Sequence, residues 1–155
     1  MGDDKLILFG TKTAPKRGVG VVLYDSKSKR TVFQDISTGD EDFIKPCFFK
    51  TTSPSDPIIF LCTTGADYTY GVSIYTFHKN AIKNIGYMDI ALNENPNASS
   101  TDPGPWTLIS INDAVTTFSF SKSVSTDFQG QQQKNYKAGE LTYQFKDGKL
   151  TMRTK

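Results

Sequence analysis

Two cysteines and one histidine are the side chains best suited to nucleophilic, redox or metal chemistry in this chain. Cys47 and Cys62 lie in two apolar segments that the sequence predicts to be neighbouring strands of a hairpin. If this hairpin centres between Pro54 and Ser55, the two thiols face each other and a cross-strand disulfide is geometrically feasible. The alternative, which we favour, is two buried free thiols that pack as small hydrophobes. Since no CxxC spacing occurs, neither a redox motif nor a zinc site is predicted.

The histidine, His78, ends an apolar segment and precedes a Lys-Asn turn. Catalysis by a histidine requires a nucleophile or an orienting carboxylate within hydrogen-bond distance. No neighbour in the sequence supplies such a group. We therefore interpret His78 as a surface residue beside a turn.

Carboxylates are numerous enough to suggest two further kinds of chemistry. Asp40, Glu41 and Asp42 could supply oxygen ligands to calcium, but their spacing departs from the EF-hand pattern. A carboxylate-dependent glycan-acting enzyme would need two carboxyl groups that converge in a cleft. Asp67 and Asp89 are the candidates for that pair, although a structural role is favoured for both. We predict no metal site and no cofactor.

Aromatic residues beside predicted loops give the clearest indication of binding. Tyr68 and Tyr70 follow a turn, and Trp106 closes a proline-rich loop that contains Asn95 and Asp102. Exposed tyrosine and tryptophan provide rigid, amphipathic contact surface for protein partners or sugar rings. The same residues could instead cap the ends of a core. We predict that these five residues contact a protein or glycan ligand.

Composition limits the class of protein. The chain has 155 residues, of which 37% are hydrophobic and 12% aromatic. These values predict a single folded domain over residues 1–155 and exclude intrinsic disorder. Because 18 Lys and Arg against 16 Asp and Glu leave a formal charge of only +2, nothing indicates binding to nucleic acid or to an anionic membrane. No apolar run approaches the ~20 residues of a transmembrane helix.

Apolar and polar residues alternate with a period of two along most of the chain, and no helical stripe is found. The clearest case is at the C-terminus, where the Asp-Gly pair at 147–148 suits a type I′ hairpin turn. This turn pairs Phe145 with Leu150 and Tyr143 with Met152 on one face, which we expect to face the core.

The remaining strands follow from the same alternation. In the hairpin around the Lys-Asn turn, we expect Phe77 to pair with Ile82 and Ile74 with Ile85. Two segments, 93–105 and 123–138, are predicted to be loops. Strands are predicted at 5–9, 18–24, 31–36, 43–50, 58–63, 70–78, 81–92, 106–111, 115–121, 141–146 and 149–153. About eleven short antiparallel strands predict an all-β fold, either a single-domain β-sandwich or a closed β-barrel.

Taken together, the pattern favours a non-enzymatic binding or interaction domain of a secreted or cell-envelope bacterial protein. The alternatives are a carboxylate-dependent glycan-acting enzyme and a β-barrel that holds a small apolar ligand. The first four residues lack the features of a signal peptide, so a cytoplasmic location is the alternative to the extracytoplasmic one. We favour the latter because the strands are rich in Ser, Thr, Tyr and Asn, as in many secreted β-proteins.

Overall fold

The computed structural model describes residues 4–12, 18–37, 39–49, 56–66, 69–92, 102–126 and 133–155. Over these ranges the protein is all-β, and every strand pairing is antiparallel, as predicted. The strands are β1 (Lys5–Lys12), β2 (Gly18–Asp25), β3 (Arg30–Ile36), β4 (Phe43–Phe49), β5 (Ile58–Gly65), β6 (Thr69–His78), β7 (Ala81–Met88), β8 (Ile90–Leu92), β9 (Thr107–Asn112), β10 (Val115–Phe120), β11 (Val124–Thr126), β12 (Lys134–Tyr136), β13 (Leu141–Lys146) and β14 (Lys149–Thr154).

The strands form four sheets. The N-terminal sheet has the order β1-β2-β3, the central sheet β4-β5-β6-β7, the small sheet β12-β11-β8 and the C-terminal sheet β14-β13-β10-β9. Within the described ranges none of the four sheets closes on itself, so the closed barrel that the sequence left open is not supported. No helix in these ranges is both long and apolar enough to cross a bilayer.

The central sheet is buried on both faces, which explains the nearly continuous apolar sequence of β5. On one face, Leu61 and Ile74 belong to a core that includes Phe118 of the C-terminal sheet. On the other face, Phe60 packs in a second core with Leu23 of the N-terminal sheet. The alternation of side chains along β5 and β6 therefore sends successive residues into two different cores.

The β2–β3 hairpin forms where the sequence predicted it. Val21 and Leu23 alternate towards the second core and are almost fully buried. Asp25 ends β2, and its Oδ1 accepts hydrogen bonds from the amides of Lys27 at 3.0 Å and Ser28 at 3.1 Å. An aspartate that bonds the backbone two residues ahead stabilises such a turn. Its other carboxylate oxygen binds the ammonium of Lys5 on β1.

The C-terminal hairpin has the predicted register, with Phe145 opposite Leu150 and Tyr143 opposite Met152. Asp147 has φ of 50° and the following glycine φ of 77°, as a type I′ turn requires. The expectation that this whole face is buried is wrong at Met152, which is 51% exposed. Met152 lies on β14 at the edge of the C-terminal sheet, and the buried core does not extend to it.

The β6–β7 hairpin departs from the predicted pairing at a β-bulge. Phe77 pairs with Ile82 as predicted, but the register shifts between Ile74 and Tyr75, so that Ile74 pairs with Gly86. The predicted pairing of Ile74 with Ile85 is therefore wrong. A bulge places one extra residue in a strand and displaces every later pair by one position.

The β4–β5 register corrects the expectation for the two thiols. Cys47 pairs with Leu61, and Cys62 pairs with Pro46. A shift of one residue reverses the face on which a side chain lies, so Cys47 packs against the first core and Cys62 lies in the second. Both cysteines are free, and the geometry does not favour the cross-strand disulfide. Pro46, which has no backbone N–H to donate to a ladder, lies on β4 at the edge of the central sheet.

The predicted loops are correct only in part. Residues 93–101 lie outside the described ranges, and Gly104–Trp106 forms a 3₁₀ turn, so that β9 begins at Thr107. The segment 123–138 contains two strands, β11 and β12, where a loop was predicted. Each has three residues, which is too short to show a period of two.

Candidate functional site

The predicted contact residues do not all fall within the described structure. Tyr68 and Asn95 lie outside the described residues, as does Asp67. Asp102 has a structural contact, because its Oδ1 accepts hydrogen bonds from the Thr63 hydroxyl at 2.5 Å and from the Gly104 amide at 2.9 Å. It thereby ties the 3₁₀ turn to β5.

Trp106 and Tyr70 are anchored to different parts of the fold. The Trp106 side chain is 39% exposed, and the Lys122 ammonium lies 3.7 Å from its ring centroid. One ring face is therefore covered by a cation–π contact. Tyr70 lies on β6, where its carbonyl oxygen accepts a hydrogen bond from the Tyr87 hydroxyl at 2.7 Å. The 3₁₀ turn brings Trp106 close to Asp102, whereas Tyr70 is joined to β7.

Neither His78 nor Asp89 belongs to a cluster of metal-ligating side chains among the described residues. His78 is exposed and precedes a turn in which Lys79 and Asn80 have positive φ, as its interpretation as a turn-flanking residue requires. Asp89 is half-buried between β7 and β8. Among the residues that the structure describes, no group of three or more His, Cys, Asp and Glu side chains is placed to hold a metal ion.

A polar cavity of about 200 Å³ lies between the N-terminal sheet and the central sheet. Two carboxylates line it, Asp35 from β3 and Glu41 from the segment before β4. Hydroxyl groups from both sides complete much of the lining; they belong to Ser37, Thr64, Ser73, Tyr75 and Tyr87. Sequence analysis singled out neither Asp35 nor the cavity.

Asp35 is held by two donors from the central sheet. Its Oδ2 accepts hydrogen bonds from the Tyr75 hydroxyl at 2.9 Å and from the Asn84 side-chain amide at 2.8 Å. The carbonyl oxygen of the same Asn84 side chain accepts a bond from the Gly86 amide at 2.9 Å. That bond orients the amide so that its NH₂ group points towards Asp35.

Glu41 is positioned by the N-terminal sheet and β5. Its Oε2 accepts a hydrogen bond from the Ser37 hydroxyl at 2.9 Å, and the Ser37 oxygen in turn accepts one from the Val19 amide at 3.2 Å. The next residue, Asp42, donates its amide to the Gly65 carbonyl at 2.9 Å. These bonds hold the segment before β4 beside the cavity.

The protonation states around the cavity favour hydrogen bonding over nucleophilic chemistry. Burial, and secondarily the charge of Asp35, raises the pKa of the Cys62 thiol to about 12. The same two causes raise the pKa of the Tyr75 hydroxyl. Burial, with smaller effects of Asp89 and Glu41, raises the pKa of Tyr87 to about 12. A thiol that stays protonated is a poor nucleophile, whereas protonated hydroxyls remain donors.

Thr64 gives a separate indication that the cavity has unused hydrogen-bonding capacity. Its side chain is only 8% exposed and lines the cavity. Within the described part of the chain, its hydroxyl forms no hydrogen bond. No fully buried side-chain oxygen of the described residues lacks a hydrogen-bond partner, so this unpaired hydroxyl keeps accessible surface. It is therefore available to a molecule inside the cavity.

A second concavity, an apolar groove of about 230 Å³, lies on the N-terminal sheet. Leu8, Val22 and Ile36 line it around Gly10 and Gly20. Leu8 and Ile36 are about half exposed, at 47% and 49%. Among the described residues that line this groove, Thr11 is the one with a polar side chain, whereas several converging polar groups give a binding site its orientation and specificity.

Comparison with known proteins adds no family to these observations. No family model, curated protein or solved structure matches this chain.

Proposed function

We propose that this protein is a non-enzymatic binding domain and that the polar cavity is its ligand site. The observation that carries the proposal is the convergence of Asp35, Glu41 and the unpaired Thr64 hydroxyl on one cavity between two sheets. Binding sites are concave and contain a few polar groups that fix the orientation of the ligand. Hydrogen bonds from the two sheets hold both carboxylates in place.

The size of the cavity limits the ligand. A volume of about 200 Å³ falls below the ~300–1,000 Å³ of pockets that hold drug-sized molecules. It corresponds to the liquid volume of about seven water molecules. The ligand is therefore a small polar molecule, or a single polar group of a larger one.

We also propose that the sheets are arranged as a β-sandwich, with the N-terminal sheet packed on one face of the central sheet. The cluster of Val21 and Leu23 with Phe60 and Phe77 supports this arrangement, since apolar faces of two sheets bury each other in a sandwich. The cavity would then lie where small and polar side chains interrupt the contact between the two layers.

A glycan-acting enzyme is the second candidate because Asp35 and Glu41 line the same cavity. Glycoside hydrolysis requires one carboxyl group that donates a proton. Tyr75 and Asn84 both donate to Asp35, and this arrangement suits an acceptor better than a proton donor. Hydrolysis of nitrophenyl glycosides that is lost in Glu41→Gln would favour the enzyme over the binding domain.

Two predictions from the sequence stay predictions. Contact with a protein or glycan through Trp106 and Tyr70 is supported only by the partial exposure of the indole. The secreted or cell-envelope setting is supported by composition alone.

Thermal unfolding in the presence of small solutes tests the proposed function. The solutes are neutral polyols, organic amines and small carboxylates. A ligand at ten times its Kd adds about 1.4 kcal/mol to the free energy of unfolding, which raises Tm by about 3–6 °C in a domain of this size. We expect at least one class to stabilise the protein. Ser73→Leu, which fills the cavity, should abolish the shift, and Ser119→Leu on β10 should retain it. The absence of any shift would contradict the proposal.

A further inference from the structure

We infer that the polar cavity selects a compact organic cation, an ammonium that also carries a hydroxyl group. This inference rests on the proposed function, since it names the ligand class of the same site. It follows from the distribution of charge and of hydrogen-bonding groups around the cavity.

The charge of the lining is one-sided. Asp35 and Glu41 contribute two carboxylates, and no Lys, Arg or His is among the described residues that line the cavity. Both carboxylates are half-buried, and a charge that is partly removed from water is costly unless an opposite charge or several donors compensate it. An ammonium ion in the cavity would supply both the charge and the donors.

Each carboxylate keeps one oxygen outside the bonds that position it. Tyr75 and Asn84 both donate to Oδ2 of Asp35, so Oδ1 is not committed to them. Ser37 donates to Oε2 of Glu41, which leaves Oε1 outside that bond. An ammonium has three N–H donors and no acceptor, so it matches these two carboxylate oxygens, which lie outside the positioning bonds of the described residues.

The hydroxyl of the ligand can form a hydrogen bond with Thr64. The Thr64 side chain is 8% exposed and lines the same cavity, and its hydroxyl can both donate and accept. A neutral polyol could pair with this hydroxyl but would leave the two charges uncompensated. An anion would be repelled by both carboxylates. The charges therefore select the cation, and Thr64 favours a cation with a hydroxyl.

Ethanolammonium chloride and ethylene glycol form a matched pair of probes, because they differ mainly in the replacement of an ammonium by a hydroxyl. Binding is measured by calorimetry at fixed, low ionic strength, with sodium chloride as the salt control. Both probes can donate a hydrogen bond to a carboxylate, but only the ammonium also neutralises its charge. We therefore expect ethanolammonium to bind at least about tenfold more tightly than ethylene glycol.

Substitutions of the two carboxylates test whether ethanolammonium binds in the cavity. Asp35→Asn and Glu41→Gln keep the shape of each side chain but remove its charge, and each should weaken ethanolammonium binding about tenfold or more while leaving ethylene glycol binding unchanged. Asp147→Asn removes the same charge in the C-terminal hairpin turn, where asparagine is also favoured, and it should not change binding. If a cavity variant fails to fold, the matched probes still decide the question on the unaltered protein.

Three results would overturn the inference. Equal affinity for both probes, or binding of neutral solutes alone, would reject the cation while the proposed function stands. Ethanolammonium binding that is insensitive to both cavity variants would place the cation elsewhere. If none of the solutes binds, the proposed function and the inference both fail.

Discussion

The hydroxyl of Tyr75 donates a hydrogen bond to Oδ2 of Asp35 across 2.9 Å, and this bond joins the central sheet to the N-terminal sheet. Tyr75 also stacks on Phe60, with ring centroids 5.1 Å apart. One side chain thus belongs to the apolar core through its ring and to the polar cavity through its hydroxyl. Tyr75 therefore connects the two sheets in two ways, through apolar packing in the core and through a hydrogen bond at the cavity.

Removal of the Tyr75 hydroxyl should lower stability. Tyr75→Phe keeps the stacked ring but leaves Asp35 with one donor fewer, and a bond to a charged group contributes about 1.5–3 kcal/mol. We expect the free energy of unfolding in urea to fall by about that amount. Tyr24→Phe, on the half-buried side of β2, is the control, and its effect should stay within about 0.5 kcal/mol. Equal effects of the two variants would contradict the role of the bond.

Thiol titration checks the β4–β5 register. Cys62 is fully buried, and burial raises its pKa to about 12; burial and the charge of Asp102 also raise the pKa of Cys47, which is only partly buried. In denaturant without reductant, we expect both thiols to react with a disulfide reagent. In the native protein only Cys47 should react, and Cys47→Ser should leave no fast phase. Failure of both thiols to react in denaturant would instead establish the disulfide.

Alkaline pH should destabilise the protein through buried groups that ionise late. Burial, with a smaller effect of a nearby carboxylate, raises the pKa values of Cys62, Tyr75 and Tyr143 in the folded state. Between about pH 9 and pH 12 the unfolded chain loses these protons while the folded chain keeps them. The folded state then binds more protons, so the free energy of unfolding falls as pH rises and is unaffected below the unfolded pKa values.

Urea unfolding at several pH values measures this slope. Tyr143→Phe removes one of the three groups, so its stability should decline less steeply above pH 9 than that of the unaltered protein. A slope that does not change in Tyr143→Phe would contradict the assignment of a raised pKa to that hydroxyl.

Gly86 should not tolerate a side chain. It has φ of 150° next to the bulge in β7, and a Cβ there would lie 2.7 Å from a methyl carbon of Leu150 on β14. Gly86→Ala should therefore cost about 1–3 kcal/mol through crowding and backbone strain. Gly10→Ala on β1 is the matched control, because no atom outside the adjacent residues lies within 4 Å of its Cβ. Chemical denaturation of both variants compares them, and similar losses would refute the contact.

The register of the C-terminal hairpin was predicted correctly because it depends on the conformation of its turn. The Asp-Gly turn at 147–148 fixes the pairing of Phe145 with Leu150 because both turn residues must have positive φ. The bulge in β7, where Ile85 is the extra residue between the partners of Ile74 and Tyr75, could not be found in this way. The neighbouring Gly86 lies against Leu150 of the distant strand β14, and the alternation of apolar and polar residues on either side of the bulge is regular.

The candidate site was harder to predict because its parts are far apart in sequence. Tyr75 and Asn84 lie 40 and 49 residues from Asp35. One signal was present, since Asp35 pairs with the buried Val21 on the core side of its hairpin. A charged residue at such a position indicates a partner across the core. The identity of that partner depends on which sheet packs against the hairpin.

The central claim is that the ligand binds in the cavity between the two sheets and not at the surface around Trp106 and Tyr70. Backbone amide spectra of ¹⁵N-labelled protein, recorded during titration with ethanolammonium, test it directly. We predict that the largest shifts occur at Val21, Thr64 and Ser73, which line the cavity, and that the signal of Trp106, the single indole in the chain, stays in place. Shifts confined to Trp106 and Tyr70 would contradict the claim and place binding at the predicted aromatic surface.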